Sequence, residues 1–377
     1  MFYLEYDSIE KNENLNNSNW VLVYSTVDSI NKNVLDNIKK KVPKADVFGT
    51  TSFNGVFTPN GFKTGCFLLA GEKNDNIETT SIIKECTKEN SFKVAQEAAL
   101  ELKNSANRLP DVILFHPTPG FEESILNGLE SIFDAKTPIY GGSAADNDLS
   151  GNWLIFKNQQ IVKEGFLIVG YYAPKFYSSF ISGYLPTKNT GIVTKAEGRT
   201  IYEVDNKPFT DVYQEWTNGL LKDELKENEN SVVLGKTSLK PLGKMISSSG
   251  NLQQYIISHP HIVSPKEKSI SLFTDFNVGD EITLMFGSEG ALLKRVEQTV
   301  SRATHKKDLE LKGGILIYCA GCVGVLGDKV DEVVESFNIS TKNIPFLGAA
   351  TFGEQGCIKT SKNLNLHGNL MCNTILF

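Results

Sequence analysis

The chain of 377 residues has no apolar run long enough to cross a bilayer. Its most apolar window, GFLIVGYYA at 165–173, falls well short of the roughly 20 residues a spanning helix needs. Cationic clusters are missing too: 38 Lys and Arg stand against 44 Asp and Glu, the net charge is -6, and no basic stripe could follow a phosphate backbone. These absences exclude a membrane span and make nucleic acid an unfitting partner. The opening MFYLEYDSIEKNEN brings acids early and no sustained apolar segment, so it does not read as a secretory leader, and a cytoplasmic location is expected. Cysteine is sparse: Cys66, Cys86, Cys319, Cys322, Cys357 and Cys372 are scattered and in that compartment stay reduced. Also lacking are a G-x-S-x-G elbow, a phosphate loop of the G-x-x-x-x-G-K-[ST] kind and an H-E-x-x-H helix.

What the sequence does hold is a repeat. Three apolar strands end in small residues: FGTTSFNG at 48–55, YGGSAADN at 140–147 and LGAATFGEQG at 347–356. Each has the same neighbours. An apolar strand (WVLVYSTV, DVILFHP, GILIYCAGC) leads through a helix-like segment to the small-residue stretch, and a further apolar strand follows (GCFLLAG, GFLIVGYY, NLMCNTILF). The outline is β-α-β-β three times over. Between the copies, SFKVAQEAALELKNSA at 91–106 is an amphipathic helix with Phe92, Ala95, Ala99 and Leu102 on one face; GALLKRVEQTVSRATHKK is a second, with Leu292, Val296, Thr299 and Val300 inward. Residues 176–285, rich in β-branched and aromatic alternation, Gly and Pro, read as strands and turns with a helix from about Thr210.

The run GIVTKAEGRTIYEVDNKPFTDVYQEW, the later VGDEITLMFGSEGALL, the strand end YCAGC, the closing PFLGAATFGEQG and the YGGSAAD segment resemble the FIST proteins, named for F-box and intracellular signal transduction. The resemblance runs from about Trp20 onward. It implies a sensory α/β unit of two domains built from repeated β-α-β-β units with mixed sheets and a ligand cleft at strand ends: an extension over 1–19, an N-terminal FIST domain over 20–210 and a C-terminal one over 211–377. It further implies a small-molecule ligand and, with no kinase, cyclase, chemoreceptor or F-box segment in these residues, a signalling partner encoded separately. Some family members hold haem and respond to nitric oxide. One departure is visible: where the family reads Cys-x-x-Arg, this chain has Cys319-Ala320-Gly321-Cys322.

Small residues at the carboxyl ends of strands let backbone amides approach a ligand, and in α/β sheets ligands lie beyond those ends. Gly141, Gly142, Ser143 and Asp146 from one copy and Thr351, Gly353 and Glu354 from another are therefore expected to line the cleft, combining small residues with a few polar groups; close packing without a ligand is the alternative. Cys319 is expected on the cleft wall, with Cys322 beside it, and His116 at a corresponding strand end. A redox C-x-x-C motif opens a helix, whereas VGVLGDK reads as loop; a zinc site would lack further ligands at knuckle spacing, so no metal is expected. Haem would need an axial histidine that spacing does not single out. A sensor rather than an enzyme is expected, with thiol-dependent catalysis through Cys319 and His116 as the alternative.

Overall fold

A computed structural model describes residues 1–134, 136–249, 252–305, 307, 309–359 and 363–377. The chain forms three units of one plan. In the first, β1 (Phe2–Glu5) precedes β2 (Ser18–Ser25), α1 (Lys32–Lys41), β3 (Asp46–Thr51), a hairpin of β4 (Val56–Thr58) and β5 (Gly61–Lys63), and a closing strand β6 (Cys66–Glu72). The second repeats this with β7 (Glu78–Glu85), α2 (Ser91–Ser105), β8 (Val112–Pro117), α3 (Glu122–Phe133), β9 (Ile139–Gly142), the hairpin β10 (Ile155–Lys157) and β11 (Gln160–Val162), and β12 (Gly165–Tyr172).

The third unit opens with β13 (Tyr177–Ile181), after which the chain leaves for an inserted sheet. That insert runs through β14 (Leu185–Glu197), β15 (Thr200–Val204), β16 (Lys207–Pro208), α4 (Phe209–Thr217), β17 (Ser231–Val232), α5 (Leu234–Thr237), β18 (Leu242–Ser249), β19 (Leu252–Ser258), β20 (Pro260–Ser264), β21 (Ser269–Leu272) and β22 (Glu281–Phe286). The chain returns through α6 (Glu289–Ala303), β23 (Gly314–Cys319), α7 (Ala320–Leu326), α8 (Asp331–Thr341), β24 (Phe346–Thr351), the hairpin β25 (Glu354–Lys359) and β26 (Asn363–Gly368), and β27 (Cys372–Leu376). The expected line between residues 210 and 211 falls inside α4, within this insert.

Each unit builds the same four-strand ladder: β1-β6-β2-β3, β7-β12-β8-β9 and β13-β27-β23-β24. The strands on either side of the crossover helix are parallel, and the closing strand is antiparallel to the first of them. The central strands are buried on both faces, which is why WVLVYS, VILFHP and GILIYC read as continuous apolar runs rather than alternating ones. The hairpins do not stay home. That of the second unit extends the first sheet through β10 on β3, that of the third extends the second through β25 on β9, and that of the first extends the third through β4 on β24. The exchange is cyclic, and one apolar core accordingly runs from Trp20 to Phe377. The insert buries a core of its own around Phe209, Tyr213, Val263 and Ile282.

Both amphipathic helices form. Phe92, expected inward on α2, is 44% exposed instead. The contact is made by Ala95 against α3, where a Cβ on Gly128 would lie 2.4 Å from the Phe92 carbonyl, so small residues set the helix spacing and leave the ring outside.

Candidate functional site

Aligning the units on the glycine that follows the first residue of each small-residue segment pairs Gly49 with Val23, Gly141 with Phe115 and Gly348 with Leu316. Three residues beyond those partners stand Thr26, Thr118 and Cys319. In the first unit Thr26 Oγ1 accepts the Gly65 N–H at 3.2 Å, and in the second Thr118 Oγ1 accepts the Gly165 N–H at 2.9 Å. Both turns are thereby closed by a hydroxyl. In the third unit the corresponding N–H is that of Met371, and it donates at 2.9 Å to the Glu354 carboxylate. Relieved of that bond, position 319 carries a thiol.

The third unit also differs in the segment directly after its strand. VGVLGDK, expected as loop, is not: Ala320–Leu326 is helical directly after β23, with Cys319 as its N-cap and Ala320, Cys322, Val323 and Leu326 on the buried side. The glycines of this helix differ in what surrounds them. A Cβ at Gly321 would come within 3.0 Å of Leu370, whereas one at Gly324 would meet nothing within 4 Å. That open space belongs to a cavity of about 290 Å³.

All three units and the insert contribute to its wall. The third supplies Cys319, Gly321 and Gly324 from the β23–α7 junction, Thr351 to Gly353 from the turn between β24 and β25, and Asn369. The first supplies Phe53 and the second Leu149; the insert covers the space with Leu234, Gly235 and Ser238 at α5, His259 between β19 and β20, and Phe273 beyond β21. Phe352 packs against Phe53 and Trp153 at ring-centroid distances of 5.9 and 6.2 Å. The wall is mostly apolar, with a few polar groups converging on it.

Of the residues expected at a cleft, Cys319, Thr351 and Gly353 line this cavity. Gly353 has φ +136 and a Cβ there would sit 2.6 Å from His367 Cε1, so only glycine fits. Cys322 and Glu354 lie one layer behind, fully buried. Asp146 shapes the wall from outside: its carboxylate accepts the amides of Leu149 and Asn152 at 2.7 Å each and fixes the loop that presents Leu149. Gly141 and Gly142 pair with β25, and a Cβ on Gly142 would collide with Thr351 at 2.5 Å; both serve packing. Ser143 donates to Glu122 at 2.9 Å, away from the cavity. His116 is also absent from the lining. It corresponds in register to Ile317, not Cys319, and is locked between Tyr24 Oη at 2.9 Å and the Gly142 carbonyl at 2.8 Å. Burial drives its pKa down to about 4, so it stands neutral.

Behind the cavity, Arg295 of α6 is 0% exposed. Its Nη1 donates to the carbonyls of Ser182 at 3.0 Å and Leu370 at 2.7 Å, its guanidinium lies 4.0 Å over the Tyr318 ring, and among the described residues Nε and Nη2 have no hydrogen-bond partner. The sulfur it faces is Cys322. Burial raises the Cys322 thiol, but the hydrogen bond from Cys319, then Arg295 and Tyr184, overcome that and bring it down to about 6. Cys319 moves the other way, raised well above the usual thiol range by burial and by its bond to Cys322. Of the pair, Cys322 is therefore the more acidic thiol and Cys319 the less acidic. Burial pushes the neighbouring Glu354 carboxyl up to about 8.

A second polar cluster adjoins the same turn. Arg199 of the insert reaches Glu122 at 2.7 Å and Glu123 at 2.6 Å. His367 lies on β26, with Nδ1 3.0 Å from Gln355 and Nε2 3.3 Å from the Phe273 carbonyl. Burial would raise Glu122, but Arg199 and then His367 hold it at about 2. Glu122, Glu123 and His367 have the donor spacing of a metal site. The guanidinium already supplies the cation there, and the cluster ties the insert to the second unit. Arg199, Arg295 and the Glu122–Glu123 pair were not singled out from sequence. A buried arginine on an amphipathic helix announces itself only by interrupting the apolar face, as Arg295 does between Leu292 and Val296.

Comparison with known proteins agrees with this architecture. Residues 19–207 match the FIST N domain and residues 210–357 the FIST C domain. An uncharacterized protein of Methanocaldococcus jannaschii is 28% identical over 198 residues, which are 49% of this chain and 37% of that protein. This chain thus spans well under two thirds of that relative's length. Among the described residues, no helix is long and apolar enough to cross a membrane. The chain belongs to the FIST family, whose domains are associated with signal-transduction sensing.

Proposed function

From that membership we propose that the protein is a receptor for a small, largely apolar ligand carrying one or two polar groups, and that it reports occupancy to a separate signalling protein. The observation that carries this is the 290 Å³ cavity, placed where the strand ends of the third unit meet the insert. Its volume stands at the small end of the range for small-molecule sites, and its mix of apolar wall and few polar groups is what such sites use for affinity and orientation. Ser238, His259, Asn369 and Thr351 are the groups that would orient a ligand. Because the insert supplies one side of the cavity and the units the other, a ligand touching both favours one placement of the insert, and that placement is what a partner would read.

Haem fits poorly. Among the described residues lining the cavity, His259 is the one imidazole, and its Nε2 already faces the Leu234 carbonyl at 3.1 Å and Ser238 Oγ at 3.4 Å. A haemin titration read at the Soret band checks this, and no shift is expected.

Thermal unfolding against a panel of small carbonyl and amino-acid-like compounds tests the receptor reading. A true ligand at 100 times its Kd stabilises by about 2.7 kcal/mol. Gly324→Leu fills the open space beside α7 and should abolish the shift while the protein still folds. A shift that persists in Gly324→Leu, or ligand recovered chemically altered, would overturn the reading.

A further inference from the structure

We propose that Cys319 and Cys322 form a redox dithiol that exchanges with small organic disulfides entering through the cavity, the protein alternating between the dithiol and a Cys319–Cys322 disulfide. The inference rests on the cavity of the proposed function being open to small molecules, and adds to it a chemical class and a reaction.

Four observations converge. Cys319 ends β23 as the N-cap of α7 and Cys322 follows three residues later in the first helical turn, a spacing that puts the two side chains on one face, with Cys322 Sγ 3.8 Å from Tyr184 Oη. Cys319 lines the cavity, while Cys322 is 0% exposed behind it, so an incoming molecule meets one sulfur and the second is held in reserve. Arg295 is a buried cation whose Nε and Nη2 have no hydrogen-bond partner among the described residues, and an uncompensated buried charge is costly unless an anion faces it. Tyr184 and Tyr318 are kept protonated by burial, which leaves a Cys322 thiolate as the fitting counter-ion. Finally, the buried Glu354 carboxyl stands near both thiols and can hold a proton.

The chemistry balances. Cys319 Sγ attacks one sulfur of R–S–S–R while its proton passes to Cys322; the ligand S–S bond breaks and RS⁻ leaves through the cavity. Cys322 then attacks Cys319 Sγ, its proton passing to the second ligand sulfur, which leaves as RSH. The first RS⁻ takes a proton from solvent. The pair, starting as one thiol and one thiolate, loses two electrons and one proton, and the ligand gains two electrons and, with the solvent proton, becomes two RSH.

Bis(2-hydroxyethyl) disulfide is the probe, small enough for the cavity. After timed exposure, acid quench and maleimide blocking, mass spectrometry of the peptide spanning 319–322 should show loss of two hydrogens without an adduct, at least about tenfold faster than any change at Cys66 or Cys372. Cys322→Ser should instead accumulate one hydroxyethylthio adduct on Cys319, and Cys319→Ser should react no faster than Cys66. Gly324→Leu should slow exchange about tenfold or more by closing access. Absence of the internal disulfide in the wild-type protein, independent adducts on both sulfurs, or an unchanged rate in Cys319→Ser overturns the proposal. The Cys319→Ser/Cys322→Ser double variant keeps the two readings apart: a ligand-induced thermal shift surviving there, with no exchange in the wild type, sinks the dithiol and leaves the receptor standing. Exchange in the wild type, with no compound shifting either protein, does the reverse.

Discussion

The strand ends of the first two units and that of the third occupy the same place in the same ladder, yet two are shut and one is hollow. At Thr26 and Thr118 a hydroxyl accepts the amide of a glycine, a bond that fills the turn and leaves nothing to react. At Cys319 the equivalent amide has been handed to Glu354, and the loop before the next helix has been replaced by a helix that starts at once. The lesson is that a site arises in a repeated scaffold less by adding groups than by moving one hydrogen bond off the position that will do chemistry. The cost is a buried carboxyl and a buried guanidinium, neither of which the closed units need; α2, which stands where α6 does, buries Ser91, Ala95, Ala98, Ala99 and Leu102 and no cation.

The largest test removes that cation. Arg295→Ala should lower stability by about 3–5 kcal/mol, because it strips two buried carbonyls of their donor and leaves Cys322 without its counter-charge; urea denaturation measures the loss, and thiol titration should show Cys322 returning toward the usual range. A loss below about 1 kcal/mol would mean that Arg295 is dispensable packing.

Glu354→Gln should act through pH. A folded pKa of about 8 means the folded state favours the neutral acid, so this stabilising contribution is complete below the ordinary carboxylate range and is lost as pH rises toward 8. His116, His259 and His261, lowered to about 4 by burial, contribute in the opposite sense and only below pH 6.5. Between pH 6.5 and 8 the variant should therefore gain on the wild type, with a slope approaching about 1.4 kcal/mol per pH unit. Cys322 titrates in that window too, but it is present in both proteins and drops from the difference to first order. Parallel stability curves would refute the assignment.

Thr118→Val sharpens the contrast between closed and open turns. It should cost about 1–2 kcal/mol by chemical denaturation, since the Gly165 amide is left unpaired in the interior, while Cys319→Ser should cost less than about 1 kcal/mol. Equal costs would erase the distinction. The smallest effect belongs to Gly324→Leu, whose stability should stay within about 1 kcal/mol of wild type because a better helix former enters open space.

Much of this scaffold is legible in the sequence, since each unit writes strand, helix, small-residue strand and closing strand in order, and the buried strands announce themselves as unbroken apolar runs. The hairpins are not legible in the same way. VFT and QIV are too short to carry a period, and nothing local in β4 names β24 as its partner. At the site, Thr351 and Gly353 follow from the small-residue ends and Cys319 from the strand end, but His116 misleads because one residue of register decides which wall a strand residue meets. The helix after Cys319 was hidden by its own glycines. Arg199 comes from a separate sheet 76 residues away from Glu123, a distance across which sequence pattern carries no information.

The cyclic exchange of hairpins also sets a timetable for synthesis. Val56 pairs with Ala349, which leaves the ribosome about three hundred residues later, and Gly141 must await Gln355. At ordinary translation speeds, that is about 15 to 60 seconds for the first edge and about 10 to 40 seconds for the second without a final neighbour. The first sheet holds all its strands once Val162 is made, whereas the second and third wait for the last unit, so those two edges stay open to mispairing through the later part of synthesis. Conversely, pieces severed between the two FIST matches would each hold the strand the other lacks, and should find one another when produced together.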